Sequence, residues 1–386
     1  MLRISEALST LEPIAWFLST APIFIYTLKQ NPKSRWWLLP LNVLPSIQSY
    51  RTVNQVAARF PGLDWLLAFT NLIFIIHATS ALHLEGWAAP TPPKGAPQRW
   101  NTIISFKAWM NPRRLPLKST YDPNRKPVTT TKRLLFVAKR VITLAILAAL
   151  YLGIELGILF YLKPGPRDFG ASHQKYIHLE CDRAALFRMV FAFHWAWLTY
   201  LILTAANSAL AVVFVGLLQI DDPDEWPVLY GNPFQAYSIQ RFWGSFWHHI
   251  GTPSQLCYGR LITRRVLRVE PGSTLEKVLL ALWVFTVSGV VHGLVTWKTD
   301  PEADPFSDFW FLMLNFLAGL VGMSIRHVSL FGGKGKSPTV LSRLMGYLLI
   351  LAFFYCIVPP YQFPILYKAA VSRMPFKVNM KMKRRS

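Results

Sequence analysis

Charged side chains are scarce in this chain, and acidic ones especially so. Of the 386 residues only 16% are charged, and 19 Asp and Glu stand against 41 Lys and Arg. A water-soluble chain of this length would carry about 25% charged residues, divided among two or three domains. The scarcity of charge therefore excludes a water-soluble globular protein.

Cysteine is also scarce. The three cysteines, Cys181, Cys257 and Cys356, lie far apart and are odd in number. They form neither a disulfide framework nor the paired spacing of a metal site, so we expect no bound metal. Arg3 is the only basic residue before the first apolar run, and no small-residue cleavage site follows that run. We therefore expect no removable signal peptide.

Long apolar runs take the place of charge. Crossing ~30 Å of hydrocarbon as a helix takes about 20 apolar residues. The run at 278–297 has no Asp, Glu, Lys or Arg, and the run at 141–162 has one, Glu155. The other runs are 13–28, 36–50, 65–82, 189–220, 309–325 and 344–367. We expect 189–220 to hold two segments with a break near Asn207. The pattern predicts an all-α, polytopic integral membrane protein with eight or nine transmembrane helices.

The basic residues are concentrated beside the apolar runs. Residues 94–140 hold 12 Lys or Arg against one acid, and the tail from Lys368 holds seven and no acid. The positive-inside rule predicts that both stretches face the cytosol, next to anionic lipid, in a membrane we take to be the endoplasmic reticulum. No soluble basic groove is available for nucleic acid, so we expect no nucleic-acid partner.

Prolines divide the chain further. Eight of them between residues 90 and 127 argue against a regular helix there, although 100–111 could lie flat in the headgroup region. Pro359 and Pro360 are expected to break the last apolar run. We interpret 1–386 as one membrane domain. Its parts are spans in 13–84, a basic proline-rich loop at 85–140, spans in 141–220, a polar motif segment at 221–272, spans in 273–370 and a basic tail at 371–386.

The polar segment contains the first candidate site. Ser238 is a suitable N-cap, and the residues after it have helical periodicity, which predicts a helix that continues through His249. One face is aromatic, and Gly244 on the other face leaves room for a second group. The polar face holds Arg241, Gly244, Ser245 and His248, and the apolar face holds Ile239, Phe242, Trp243, Phe246, Trp247 and Ile250. A helix that merely lies at the membrane interface is an equally good interpretation of this pattern.

The second candidate site lies within the run at 278–297. Ser288, His292 and Thr296 are spaced i, i+4, i+8 and form a polar stripe on an apolar helix. Gly289 and Gly293 flank the histidine and allow close approach by a helix or a substrate. A histidine that only bonds to another helix is the structural alternative. Ionisable groups inside a membrane are costly and tend to mark functional sites, which favours function.

At these two sites the sequence resembles the wax synthase-like branch of the membrane-bound O-acyltransferases, and especially fungal enzymes that acetylate terpenoid and meroterpenoid hydroxyl groups. The matching residues are Trp226-Pro227, Gly231-Asn232-Pro233, Ser238 with Phe242-Trp243-Gly244 and Trp247-His248, and Ser288-Gly289 with His292. Many members have two arginines where this chain has Ser245 and Phe246, and often Glu in place of Gly293. The second departure removes a possible orienter of the histidine, a role that Ser288 could take.

The resemblance implies a direct transfer of acetyl from acetyl-CoA, used as a co-substrate without a bound cofactor, to a lipophilic alcohol. His292 would be the general base, and His248 would position the donor or stabilise the oxyanion. No serine or cysteine sits in a nucleophile elbow, so no acyl-enzyme is expected. The implied substrate-binding residues are Asn232, Trp243, Gly244, Trp247 and Ser288, and the implied coenzyme A-binding residues are Arg241, Arg260 and Arg264.

Three alternatives remain open from sequence. A wax synthase-type enzyme would use long-chain acyl-CoA with the same residues. A prenyltransferase or terpene cyclase could hold magnesium at the acidic residues 221–225, although the second acidic cluster at 300–304 lacks the usual spacing. A transporter could use Glu155 and His292 as intramembrane relay groups.

Overall fold

The computed structural model describes residues 2–57, 59–88, 91–92, 94, 99–117, 127–327 and 339–373. The predicted basic tail lies outside these residues except for its first three positions, and so do residues 89–90, 93, 95–98 and 118–126 of the predicted proline-rich loop. The described residues form helices and connecting loops without a β-strand, so the predicted all-α class is confirmed.

In the described part of the chain, ten helices of eight residues or more carry the fold. They are α1 (Leu2–Leu28), α2 (Leu39–Thr52), α3 (Leu63–Thr79), α4 (Trp100–Trp109), α5 (Thr130–Gly157), α6 (Arg183–Ala211), α7 (Thr252–Arg260), α8 (Thr274–Thr299), α9 (Phe306–His327) and α10 (Val340–Ser372). Four of them, α3, α5, α6 and α7, continue into a C-terminal π-helical turn. Helix α5 begins at Thr130, ahead of the apolar run at 141–162. The residues between include the basic side chains Lys132, Arg133, Lys139 and Arg140.

Seven helices in the described part of the chain are long and apolar enough to cross a membrane. They are Ser9–Leu28, Leu63–Leu84, Thr130–Leu162, Arg183–Leu217, Thr274–Thr299, Phe306–Ser324 and Val340–Ser372. An integral membrane protein is therefore confirmed, whereas the predicted count of eight or nine spans is not reached among these residues. One reason is that the run at 36–50 forms α2, whose 14 residues extend only about 21 Å.

Two expected breaks are wrong. The run at 189–220 forms one helix, because Asn207 and Ser208 bury their side chains within α6 instead of ending it. Pro359 and Pro360 lie inside α10, which runs on to Ser372. Each proline removes one backbone hydrogen bond, a loss that membrane helices tolerate where neighbouring groups compensate.

The chain divides into two compact units, and the first comprises Met1–Leu134, Val213–Pro227 and His249–Phe316. Within it α2 packs between α1 and α3, and α3 also contacts α8. Helix α4 lies against α1, where the indole of Trp109 donates a hydrogen bond of 3.0 Å to Thr20. Trp100 and Trp109 are both buried, so the segment expected to lie flat in the headgroup region is a helix packed into protein.

The second unit comprises Leu135–Val212, Val228–His248 and Leu317–Ser386. Here α6 packs against α10. Four buried phenylalanines, Phe169, Phe187, Phe191 and Phe363, form its aromatic core, with the ring of Phe169 edge-on to the other three. Oε1 of Glu155 lies 2.7 Å from Nε2 of His194, within hydrogen-bond distance. This intramembrane carboxylate therefore has a partner within its unit.

Candidate active site

His292 lies in the C-terminal half of α8, in the first unit. Its half-buried ring meets the ring of Phe69 edge-on, with 4.6 Å between centroids. Among the described residues of this unit, no hydrogen bond to either ring nitrogen is present. The imidazole is thus held by packing while its nitrogens stay available to a reacting group.

Asp308, in the first turn of α9, is a site residue that the sequence analysis missed. Its side chain is buried and lies close enough to His292 for a direct electrostatic interaction. The hydroxyl of Thr296 donates a hydrogen bond of 2.6 Å to the same carboxylate. The polar stripe of Ser288, His292 and Thr296 therefore ends at a carboxylate on the next helix. In the sequence, the only indication of this contact was the short loop that joins α8 to α9.

The glycines that flank His292 bring the two helices together. A Cβ atom built on Gly289 would lie 3.0 Å from the Cα of Phe309, and one built on Gly293 would lie 2.5 Å from the carbonyl oxygen of Pro305. Both glycines are therefore needed for the close approach of α9. The glutamate that the motif resemblance led us to expect at position 293 does not fit this backbone, and Asp308 supplies a nearby carboxylate instead.

Ser288 does not orient the histidine through a hydrogen bond in this arrangement. Its hydroxyl lies 3.4 Å from the amide nitrogen and 3.5 Å from the amide oxygen of Gln255. The indole of Trp283 donates to the Gln255 carbonyl at 2.9 Å. Ser288 is thus less well placed than Asp308 to take the role of the missing glutamate beside His292.

The other motif histidine, His248, belongs to the second unit, and the helix before it is shorter than predicted. Ser238 is the N-cap, as expected, and accepts from the Arg241 amide at 3.3 Å. The helix then widens into a π-helical turn over Phe242–Phe246 and ends. The continuation through His249 is wrong because the Phe246 carbonyl accepts from the Gly231 amide at 2.8 Å. His248 and His249 lie in extended or irregular backbone, so the helical-wheel argument does not apply to them.

Aromatic rings surround His248. The ring of Tyr230 is edge-on to it at 5.7 Å between centroids, and Trp247 lies beside it and stacks on Trp195. Tyr230 is 6% exposed, and its hydroxyl has no hydrogen-bond partner among the described residues. Burial raises the pKa of Tyr230 far above its usual range. A buried phenol that stays protonated is a hydrogen-bond donor, and sequence reasoning missed it.

The structure agrees in part with the apolar and polar faces predicted for residues 239–250. Phe242 and Trp247 are buried, and Trp243 is half-buried and packs against both. Gly244 is exposed, and a Cβ built on it would meet nothing within 4 Å. The glycine thus borders open space, as the sequence predicted. Asn232 is exposed and accepts from the Phe234 amide, which fixes the turn before Ser238.

The three arginines predicted to bind coenzyme A have different surroundings. Arg264, in the turn after α7, donates at 2.5 Å to the buried carboxylate of Glu276. Arg260, on α7, is exposed. Arg241 lies in the second unit, with its guanidinium 4.6 Å from the centre of the Tyr237 ring.

Three carboxylates of the acidic cluster at 221–225 form ion pairs within the first unit. Lys107 lies 2.9 Å from Asp221 and 2.8 Å from Glu225, and Arg133 lies 3.0 Å from Asp222. Burial raises the pKa of Glu225, against the opposing charge of Lys107. These carboxylates tie the polar segment to α4 and to the start of α5, which disfavours the magnesium and diphosphate interpretation.

The segment that contains both histidine motifs is similar to a known protein family. Residues 226–314 match the membrane bound O-acyl transferase family, and this segment holds both histidine motifs together with Asp308. The resemblance predicted from the motifs is therefore confirmed over this part of the chain.

Individual relatives are fungal acetyltransferases. Acetyltransferase nanB of Aspergillus nanangensis is 27% identical over 47% of this chain and 44% of its own length, and acetyltransferase eriL of Hericium erinaceus is 28% identical over 44% and 42%. Acetyltransferase ataH of Aspergillus terreus is 27% identical over 58% of this chain and 76% of its own length. The chain thus spans less than half of the first two relatives. No solved structure matches it.

Proposed function

We propose that this chain is a membrane-bound O-acyltransferase that moves an acetyl group from acetyl-CoA to a hydroxyl group of a lipophilic alcohol of the terpenoid or meroterpenoid type. The family match over residues 226–314 and the names of the relatives support acyl transfer and, within it, acetyl transfer. The alcohol class rests on the resemblance of the motifs. We place the protein in the endoplasmic reticulum membrane with the donor entering from the cytosol.

The observation that carries the proposal is the position of His292, half-buried on α8 and within electrostatic range of the Asp308 carboxylate. Among the described residues of its unit the imidazole has no hydrogen-bond partner, and a buried carboxylate lies within electrostatic range. In the proposed reaction an imidazole nitrogen accepts the hydroxyl proton while the alcohol oxygen forms a bond to the thioester carbonyl carbon. The carbon–sulfur bond then breaks, and the proton passes from the imidazolium to the departing thiolate. The products are an acetate ester and free coenzyme A.

Asp308 has a defined part in this sequence. The imidazolium formed in the first step is a new positive charge in a water-poor helix, where an isolated charge is costly. A fixed carboxylate nearby stabilises that charge, one of the two roles of the aspartate in Ser-His-Asp hydrolases. Because Thr296 already bonds the carboxylate, its position requires no rearrangement during the reaction.

His248 and Tyr230 are proposed to serve the acyl donor. The two rings are neighbours, and the Tyr230 hydroxyl is a protonated donor with no other described partner. Donors placed where negative charge develops on a carbonyl oxygen stabilise the tetrahedral intermediate. Gly244 and the flanking Trp243 border open space where an acyl group could lie.

A donor comparison tests the proposed function. Microsomes that contain the protein would be incubated with a mixture of hydroxylated terpenoids and with labelled acetyl-CoA, palmitoyl-CoA or a prenyl diphosphate. We expect labelled acetate esters that form only with acetyl-CoA and are absent from microsomes of the empty host. Palmitate esters would indicate the wax synthase-type alternative, and label transferred from prenyl diphosphate would overturn acyl transfer altogether.

A further inference from the structure

An open cavity of about 350 Å³ lies at the first motif, within the second unit. The residues that line it are Asn232, Phe234, Gln235, Tyr237, Arg241 and Arg343. At ~30 Å³ for each water of the liquid, the cavity has room for a phosphate or diphosphate group. Arg343 had no assigned role in the sequence analysis.

Contacts of α10 with the motif segment build the cavity wall. A Cβ built on Gly346 would strike the backbone carbonyl of Tyr237, so the glycine permits the helix to touch that backbone directly. The hydroxyl of Tyr347 reaches the Pro233 carbonyl at 3.4 Å. These contacts bring Arg343, in the first turns of α10, to the same place as Arg241, which is about one hundred positions earlier in the sequence.

The two cations have no acidic counterpart in the cavity. The guanidinium of Arg241 lies 4.6 Å from the centre of the Tyr237 ring, and that of Arg343 lies 5.5 Å from it. None of the lining residues is acidic, and among the described residues neither guanidinium pairs with a carboxylate. Two guanidiniums held on one aromatic ring, with the amides of Asn232 and Gln235 beside them, make a site for an anion with several oxygen atoms.

We propose that this cavity binds the phosphate groups of the acyl-CoA donor, with Arg343 and Arg241 as the phosphate-binding residues. The proposal rests on the proposed function, since it assumes a coenzyme A thioester as donor. It also revises the earlier assignment, because Arg343 takes the place of Arg264, whose guanidinium is already paired with Glu276. An anionic lipid headgroup presents the same phosphate chemistry, and the experiment separates the two sources.

Truncated donors provide the test. Transfer would be measured in vesicles with acetyl-CoA and with S-acetylpantetheine, which carries the same thioester without any phosphate. We expect Arg343→Gln to raise KM for acetyl-CoA about tenfold and to leave kcat and KM for S-acetylpantetheine unchanged. Arg241→Gln should behave in the same way. Arg167→Gln is the matched control, since Arg167 is an exposed arginine in the short 3-10 helix Pro166–Phe169 of the same unit.

Each other outcome has a defined meaning. An equal rise of KM for both donors, or no rise for acetyl-CoA, would overturn the proposal while leaving the transferase function intact. A difference between wild type and Arg343→Gln that appears only in vesicles rich in phosphatidylserine would assign the cavity to lipid and overturn the donor site. If the wild type transfers acetyl from neither donor, the proposed function fails. In that case the binding of coenzyme A by wild type and Arg343→Gln still tests the cavity.

Discussion

The hydroxyl of Thr296 and the carboxylate of Asp308 are joined by a hydrogen bond of 2.6 Å between two membrane helices, one helical turn beyond His292. The bond fixes the start of α9 against α8 and holds a carboxylate within electrostatic range of His292, whose ring nitrogens have no hydrogen-bond partner among the described residues of the unit. A histidine with a purely structural role would be expected to form hydrogen bonds to a neighbouring helix through its ring nitrogens. The arrangement instead favours a base whose protonated form is stabilised by a nearby carboxylate.

Replacement of His292 should abolish transfer. In His292→Ala the base is lost while little apolar area is, so we expect the rate to fall about 10²–10⁴-fold with normal membrane insertion. The measurement is acetyl transfer at matched expression, with Val290→Ala on an exposed position of the same helix as the control. Near-normal turnover in His292→Ala would remove this residue from the mechanism.

Asp308→Asn should lower turnover without weakening donor binding. The amide keeps an acceptor for Thr296 but loses the charge that stabilises the imidazolium, so kcat should fall roughly 10–100-fold with KM for acetyl-CoA unchanged. Thr296→Val removes the hydrogen bond and keeps the charge, and its effect should be smaller. Equal losses in both variants, together with a lower melting temperature, would show that the pair is structural.

His248→Ala should cost far more activity than His249→Ala. His248 is half-buried among aromatic rings, whereas His249 is exposed. The expectation rests on this difference in exposure and not on helical periodicity, since the helix ends before both residues. Comparison of the two variants at equal expression checks it, and a larger loss in His249→Ala would place the reactive side chain on the other side of the segment.

Tyr230→Phe separates a catalytic from a structural role of the phenol. A buried hydroxyl without a partner destabilises a fold by about 1–3 kcal/mol, so its removal should leave the melting temperature unchanged or raise it. If the hydroxyl bonds the acyl donor, kcat should nevertheless fall about tenfold or more. A variant that is more stable and fully active would show that the hydroxyl takes no part in transfer.

Cys257 should be inert towards alkylation at neutral pH. Burial, with a further contribution from the Glu85 carboxylate, raises the pKa of this thiol to about 11. At pH 8 only ~0.1% of it would be thiolate, and the thiolate is the reactive form. Mass spectrometry after maleimide treatment should find label on the exposed Cys181 long before Cys257. Rapid labelling of Cys257 would reopen the question of a cysteine nucleophile.

Hydrophobic run length was enough to predict the helical class and most of the spans, because crossing hydrocarbon imposes a strong constraint on composition. Run length failed to predict the breaks and ends of helices that depend on tertiary contacts. Asn207 looks like a break but is buried within α6, and Pro359 looks like a turn but lies inside α10. The end of the helix before His248 depends on a bond from Gly231, and no local pattern encodes such a contact.

Sequence patterns predicted the histidines of the candidate site but not the side chains that other helices place around them. Spacing on one helix revealed Ser288, His292 and Thr296. Asp308 and Arg343 come from other helices, and single-sequence periodicity carries no information about which helices meet. Close-packed glycines such as Gly293 were the available hint, since they mark where another backbone approaches.

Helix length has a consequence for the host membrane. The helix Arg183–Leu217 has 35 residues and Val340–Ser372 has 33, so each is about 50 Å long at ~1.5 Å per residue. Even a tilt of about 40° would leave each roughly 40 Å tall, against a hydrocarbon layer of about 30 Å. Some two turns of each helix must therefore stand among headgroups or in water. The thickness of the bilayer, and with it the lipid composition of the organelle, determines which of their side chains are wetted.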